Sequence, residues 1–73
     1  MNEPYPELAR GSESWNTYAS YLVDDTVEGL RETQSKFLAY RREKRMEGDA
    51  RGVAYTDMQL GCIADALAAK GAS

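Results

Sequence analysis

The side chains of this sequence that could perform chemistry are mainly carboxylates, because histidine is absent and cysteine occurs once. Four of the carboxylates recur at spacings that place them along one side of a helix. They are Asp24, Asp25, Glu28 and Glu32. Helical carboxylate sites that bind metal ions normally include histidine as well. The sequence therefore predicts no metal, no other cofactor and no enzyme, and these acids are predicted to be a solvated face or an electrostatic contact for a partner protein.

The single cysteine, Cys62, lies between Gly61 and Ile63 and has no histidine to activate its thiol. We interpret it as a small buried side chain rather than a nucleophile. One cysteine can neither form a disulfide within the chain nor complete a zinc site. No apolar run approaches the roughly 20 residues that a membrane span requires. These features predict a soluble protein of a reducing compartment, either the cytoplasm or the cytoplasm of a host cell.

A basic segment, residues 41–51, is the second candidate for chemistry. Its cations are Arg41, Arg42, Lys44, Arg45 and Arg51. They are interpreted either as charges that complement the C-terminal end of a helix dipole or as contacts for phosphate groups, with Tyr40 or Tyr55 stacking on a base. The net charge of −3 argues against strong binding to a nucleic acid duplex.

The element that must position these groups is the stretch from Ser14 to Glu47, which contains no proline and one glycine. Its apolar side chains recur mostly at steps of three and four residues, which predicts a helix over about residues 13–47. Asp25 and Glu28 resemble a capping box. The helix therefore either breaks between Asp24 and Gly29 or continues through them.

The sequence after Gly48 predicts a turn over residues 48–55 and a second helix over about residues 57–70. Thr56 and Gln59 have the spacing of a capping box, and an apolar stripe at helical spacing follows them. Ahead of both helices, residues 1–11 are predicted to be an extended arm, or one with a short helical turn at Glu7–Arg10.

These lengths predict self-association. A second helix half as long as the first would leave the segment from Trp15 to Val23 uncovered, and an exposed apolar segment of this kind calls for a partner. The predicted contacts of a homodimer or larger homo-oligomer are Trp15, Tyr18, Leu22 and Val23. The alternative for the aromatic residues here is a stacking platform for a base or for a side chain of another protein.

The sequence thus predicts a single all-α domain, a hairpin of one long and one short helix that assembles as a helical bundle. Its predicted function is that of a small acidic protein-protein interaction module, a regulator or inhibitor that binds a larger protein through the four acids. Its size and charge are typical of proteins that phages and mobile elements make against host machinery. The alternative is a small oligomeric nucleotide- or nucleic-acid-binding protein that uses residues 41–51.

Overall fold

The computed structural model describes residues 5–72, and in that range it contains helices and no strand. A 3₁₀ turn at Pro6–Leu8 is followed by helices α1 (Glu13–Leu22), α2 (Val27–Glu47) and α3 (Ala50–Ala69). The prediction of an all-α protein is confirmed. The predicted hairpin is wrong, because the long segment is divided into two helices. In addition, α3 has 20 residues and α2 has 21, so neither is the short helix of a pair.

The break between α1 and α2 is produced by side chains that bind backbone amides in place of helical carbonyls. The Asp25 carboxylate accepts a hydrogen bond from the Thr26 amide at 2.8 Å, and the Thr26 hydroxyl accepts one from the Gly29 amide at 3.0 Å. Thr26 is therefore the residue that caps α2, one position after the predicted Asp25. The break occupies residues 23–26 and overlaps the predicted interval, and α1 and α2 both pack against α3.

The connection between α2 and α3 is much shorter than the predicted turn over residues 48–55. Gly48 adopts a left-handed φ of 74°, and its amide and that of Asp49 return to the last carbonyls of α2. The Asp49 carboxylate then accepts a hydrogen bond from the Gly52 amide at 2.9 Å and caps α3. Helix α3 consequently begins at Ala50 rather than at residue 57.

Thr56 is not a helix cap, which corrects the second predicted capping box. It lies inside α3, is 1% exposed, and donates its hydroxyl proton to the Gly52 carbonyl oxygen at 2.8 Å. A threonine within a helix commonly satisfies its hydroxyl in this way. The Thr56 hydroxyl, which the sequence indicated as a helix cap, is therefore buried with its donor paired.

The predicted extended arm forms a 3₁₀ turn at Pro6–Leu8 where the structure describes it, and residues 1–4 of that arm lie outside the described residues. Leu8 is 6% exposed, so this turn adds an apolar side chain to the protein. Arg10 then pairs with Asp65 on α3 at 2.5 Å.

Helix α3 is the central element of the core. Its buried residues Cys62, Ile63 and Leu67 form one cluster with Leu22 of α1 and Leu30 of α2. The ring of Trp15 lies directly on Gly61, where a Cβ atom would approach the ring to 2.5 Å. Helix α1 therefore packs on α3, and of the segment from Trp15 to Val23 that was predicted to be uncovered, Leu22 is buried and Trp15, Tyr18 and Ala19 are partly buried, whereas Tyr21 and Val23 remain exposed.

Candidate interaction surface

The four predicted acidic residues lie around the turn between α1 and α2 and along the first two turns of α2. Asp24, Glu28 and Glu32 are exposed, whereas Asp25 is partly buried and has the structural role of binding the Thr26 amide. Among residues 5–72, the ion pairs involve none of these four carboxylates. Their charges are favoured by the N-terminal end of the α2 dipole and are otherwise open to solvent or a partner.

Three of the five predicted phosphate-binding residues are engaged in ion pairs within the chain. Arg41 binds the carboxylate of Asp57. The two other engaged cations are Lys44, which lies 3.5 Å from Glu47 and 3.7 Å from Asp49, and Arg51, which lies 3.4 Å from Glu7. The hydroxyl of Tyr40 and, after it, the charge of Glu47 raise the pKa of Lys44 above its ordinary value. The basic segment therefore exposes fewer free cations than its sequence indicates.

Arg42 and Arg45 are exposed, and among the described residues they take part in no ion pair. Beside them lie two exposed apolar side chains, Leu38 at 55% and Met46 at 84%. Leu38 is one of the apolar side chains whose helical spacing predicts the long helix, yet it is exposed rather than buried. At about 100° per residue, Leu38 lies about 80° around the helix from the buried Leu30, and Met46 lies about 80° further in the same direction, so both are turned away from the buried side of α2.

The predicted oligomer contacts are mostly used inside the protein. Leu22 is 5% exposed in the core, Trp15 packs on Gly61, and the Tyr18 ring lies 6.4 Å from the ring of Phe37. Burial, followed by the charges of Cys62, Tyr55 and Asp25, raises the pKa of Tyr18. Only Val23, which is 68% exposed, remains available as predicted.

Cys62 is buried at 1% exposure and directs its thiol toward the carbonyl oxygen of Trp15 at 3.4 Å. Burial and the nearby charge of Asp65 raise the pKa of this thiol, and Arg10 opposes them. A thiol that stays protonated and covered is a poor nucleophile and a poor metal ligand.

Other kinds of site are not found in residues 5–72. Histidine, cysteine and acidic side chains form no group there that could hold a metal ion. No helix in that part of the chain has both the length and the apolar character that crossing a membrane requires. Every buried side-chain nitrogen or oxygen there has a hydrogen-bond partner, so none points unpaired into a cavity.

Comparisons with protein-family models, with curated proteins and with solved structures find no match to this chain. Inference about function therefore rests on the arrangement of charged and apolar groups on the surface.

Proposed function

We propose that this chain is a small protein-protein interaction module that binds a larger protein through its acidic surface, which we define as Asp24, Asp25, Glu28 and Glu32. One observation carries the proposal. These four carboxylates are adjacent in the fold, and no cation within residues 5–72 pairs with them. A concentrated negative surface of this kind attracts a basic protein surface and accelerates its association.

The ion pairs favour a protein partner over the alternative, a nucleotide or nucleic acid held by residues 41–51. Phosphate binding would require Arg41, Lys44 and Arg51 to give up carboxylates that they already contact. Only Arg42 and Arg45 would then be left to bind phosphate groups. The exposed Leu38 and Met46 side chains beside them are better suited to contact with a protein surface.

A module without catalytic groups acts by occupying a surface, which is how a regulator or an inhibitor works. The partner is expected to present Lys and Arg side chains opposite Asp24, Glu28 and Glu32. Where those cations normally bind phosphate groups, the acidic surface would block a nucleic-acid path on the partner. Rim charges of this type mainly set the association rate and its salt dependence.

The test is affinity capture from the cells that make the protein, or from their host, with the chain as bait. The variant Asp24→Asn/Glu28→Gln/Glu32→Gln removes three charges and leaves Asp25, because Asp25 also holds the turn. The matched control is Glu43→Gln, which is exposed on α2 and outside the acidic surface. We expect a specific protein with the wild type and the control, lost at high salt and lost with the triple variant. Capture of the same protein by the triple variant, to the same extent, would eliminate the proposed surface.

Self-association remains part of the proposal, but its predicted surface is occupied within the fold. The exposed apolar side chains that remain for a second copy include Val23, Leu38 and Met46. Two of these three belong to α2.

A further inference from the structure

Helix α2 has an outer face that is exposed from its first turn to its last. The face consists of Glu28, Glu32, Ser35, Ala39, Arg42 and Met46, and all six residues are exposed. Its steps of four, three, four, three and four residues keep these side chains on one side of the helix, where a second helix could lie along them. The opposite side of α2 contains Leu30 and Phe37 and is used against the rest of the protein.

The outer face is complementary to itself when it is turned end to end. With two copies of α2 antiparallel and crossing at the level of residue 37, Glu32 lies opposite Arg42 of the other copy, and Arg42 lies opposite Glu32. In the same register Glu28 faces Met46 and has Arg45 one position away. Ser35 and Ala39 meet next to the axis, where small side chains permit the helix axes the usual separation of about 8–10 Å.

The direction of pairing follows from charge. The outer face is acidic near the N-terminus of α2 and basic near its C-terminus. A parallel pair would place acid against acid and base against base, whereas an antiparallel pair matches opposite charges and also opposes the two helix dipoles. In the antiparallel pair, Leu38 would lie beside Leu38 of the second copy on one side of the twofold axis. On the other side, Lys36 would lie beside Lys36 of the second copy and repel it.

We propose that α2 binds α2 of a second copy of this chain, antiparallel, to form a twofold-symmetric dimer whose pairing is set by Glu32 and Arg42. The contact extends over the 19 residues from Glu28 to Met46, a rise of about 27 Å at about 1.5 Å per residue step. A single helix pair of this length belongs with small, reversible interfaces. The dimer is therefore weak and sensitive to salt, and it forms at high protein concentration.

This dimer specifies the self-association and competes with binding of the partner protein, because Glu28 and Glu32 belong to both surfaces. A partner that binds these two acids must displace the second copy. Asp24 lies outside the outer face, and Arg42 lies outside the acidic surface. Substitution of these two residues therefore separates the two proposals.

The experiment measures the mass of two charge-reversal variants, Glu32→Arg and Arg42→Glu, alone and mixed, by sedimentation equilibrium at low salt. In each variant alone, both symmetry-related contacts become repulsive, and we expect association at least about tenfold weaker than wild type. In an equal mixture, one copy presents two arginines to the two glutamates of the other, so a heterodimer should form. Each reversal changes the charge of the chain by two, so the variants carry −1 and −5 and have no general attraction.

Controls keep the result specific. The double variant Glu32→Arg/Arg42→Glu keeps the net charge of the wild type and should dimerise again. Glu13→Arg makes the same charge change on the exposed surface of α1 and should leave association unchanged. Circular dichroism establishes that every variant remains helical. A wild-type protein that stays monomeric at about millimolar concentration and low salt, or a mixture no more associated than its components, would overturn the proposal. Asp24→Asn should leave the dimer intact, so loss of partner capture with that variant concerns the proposed function alone.

Discussion

The contact between Gly61 and Trp15 gives the sharpest test of how α1 packs on α3. A Cβ atom at residue 61 would lie 2.5 Å from Cη2 and 2.8 Å from Cζ3 of the Trp15 ring. Because the indole is rigid, Gly61→Ala must displace the whole ring, and crowding of this kind costs about 1–3 kcal/mol. Alanine is favoured over glycine inside a helix by about 1 kcal/mol, which offsets part of that cost.

The expected net effect of Gly61→Ala is a loss of up to about 2 kcal/mol of unfolding free energy. For a domain of this size, each kcal/mol lowers the melting temperature by about 4–8 °C. The assay is urea and thermal unfolding followed by circular dichroism. The substitution is repeated in a Trp15→Leu background, where the ring is gone and Gly61→Ala should become stabilising by up to about 1 kcal/mol. Ala64→Gly, at an exposed position of the same helix, calibrates the intrinsic preference of α3. Stabilisation by Gly61→Ala while Trp15 is present would refute the packing of α1 on α3.

Two further predictions concern the helix break and the response to pH. Thr26→Ala removes the acceptor for the Gly29 amide and should lower the free energy of unfolding, measured in urea, by about 1 kcal/mol. The control Thr17→Ala, at an exposed position of α1, should change it by less than about 0.5 kcal/mol. Equal effects of the two substitutions would contradict the assigned cap. The raised pKa values of Cys62 and Tyr18 mean that the unfolded chain releases these protons first as pH rises. The stability that both groups contribute is intact below the ordinary thiol pKa of 9.0 and is lost as pH rises through their pKa values in the folded protein. Cys62→Ala should therefore flatten the earlier part of that loss. The measurement is the urea midpoint of unfolding across alkaline pH. A pH response that Cys62→Ala leaves unchanged would count against the buried, protonated thiol.

The sequence predicts that the chain is helical, whereas the number of helices and their packing follow from contacts that only the structure shows. The helix end at Gly48 is local, and the sequence indicated it. The packing of α1 involves residues that are 46 apart in the sequence, Trp15 and Gly61, and local spacing does not indicate that contact. Helical spacing could not reveal that α1 and α2 are separate helices, because the apolar positions of α1 are nearly in phase with those of α2.

Gly52 shows why the predicted turn over residues 48–55 is too long. With Gly48 nearby, it indicated a long turn, but it lies in the first turn of α3 for a reason that involves crowding. A Cβ atom at residue 52 would approach Oδ2 of Asp49 to 2.6 Å and Cδ of Lys44 to 2.8 Å. The glycine leaves room for the cap and the ion pair, and neither could be recognised before the positions of Lys44 and Asp49 were known.

The candidate surface was predictable in composition but not in availability. Glu28 and Glu32 lie on α2, but Asp24 and Asp25 lie in the connection that precedes it rather than on the same side of one helix. The pairing of Arg41 and Arg51 uses carboxylates on other elements, Asp57 and Glu7, so these partners could not be read from local spacing, whereas Glu47 lies three residues after Lys44 on the same helix.

The measurement that tests the central claim most directly is an NMR titration of the isotopically labelled chain with the partner recovered by capture. The account predicts that backbone amide signals change first and most at residues 24–32, and that they return when salt is added. Changes confined to residues 41–51, with the signals of Asp24, Glu28 and Glu32 unmoved, would contradict it and assign binding to the basic segment instead.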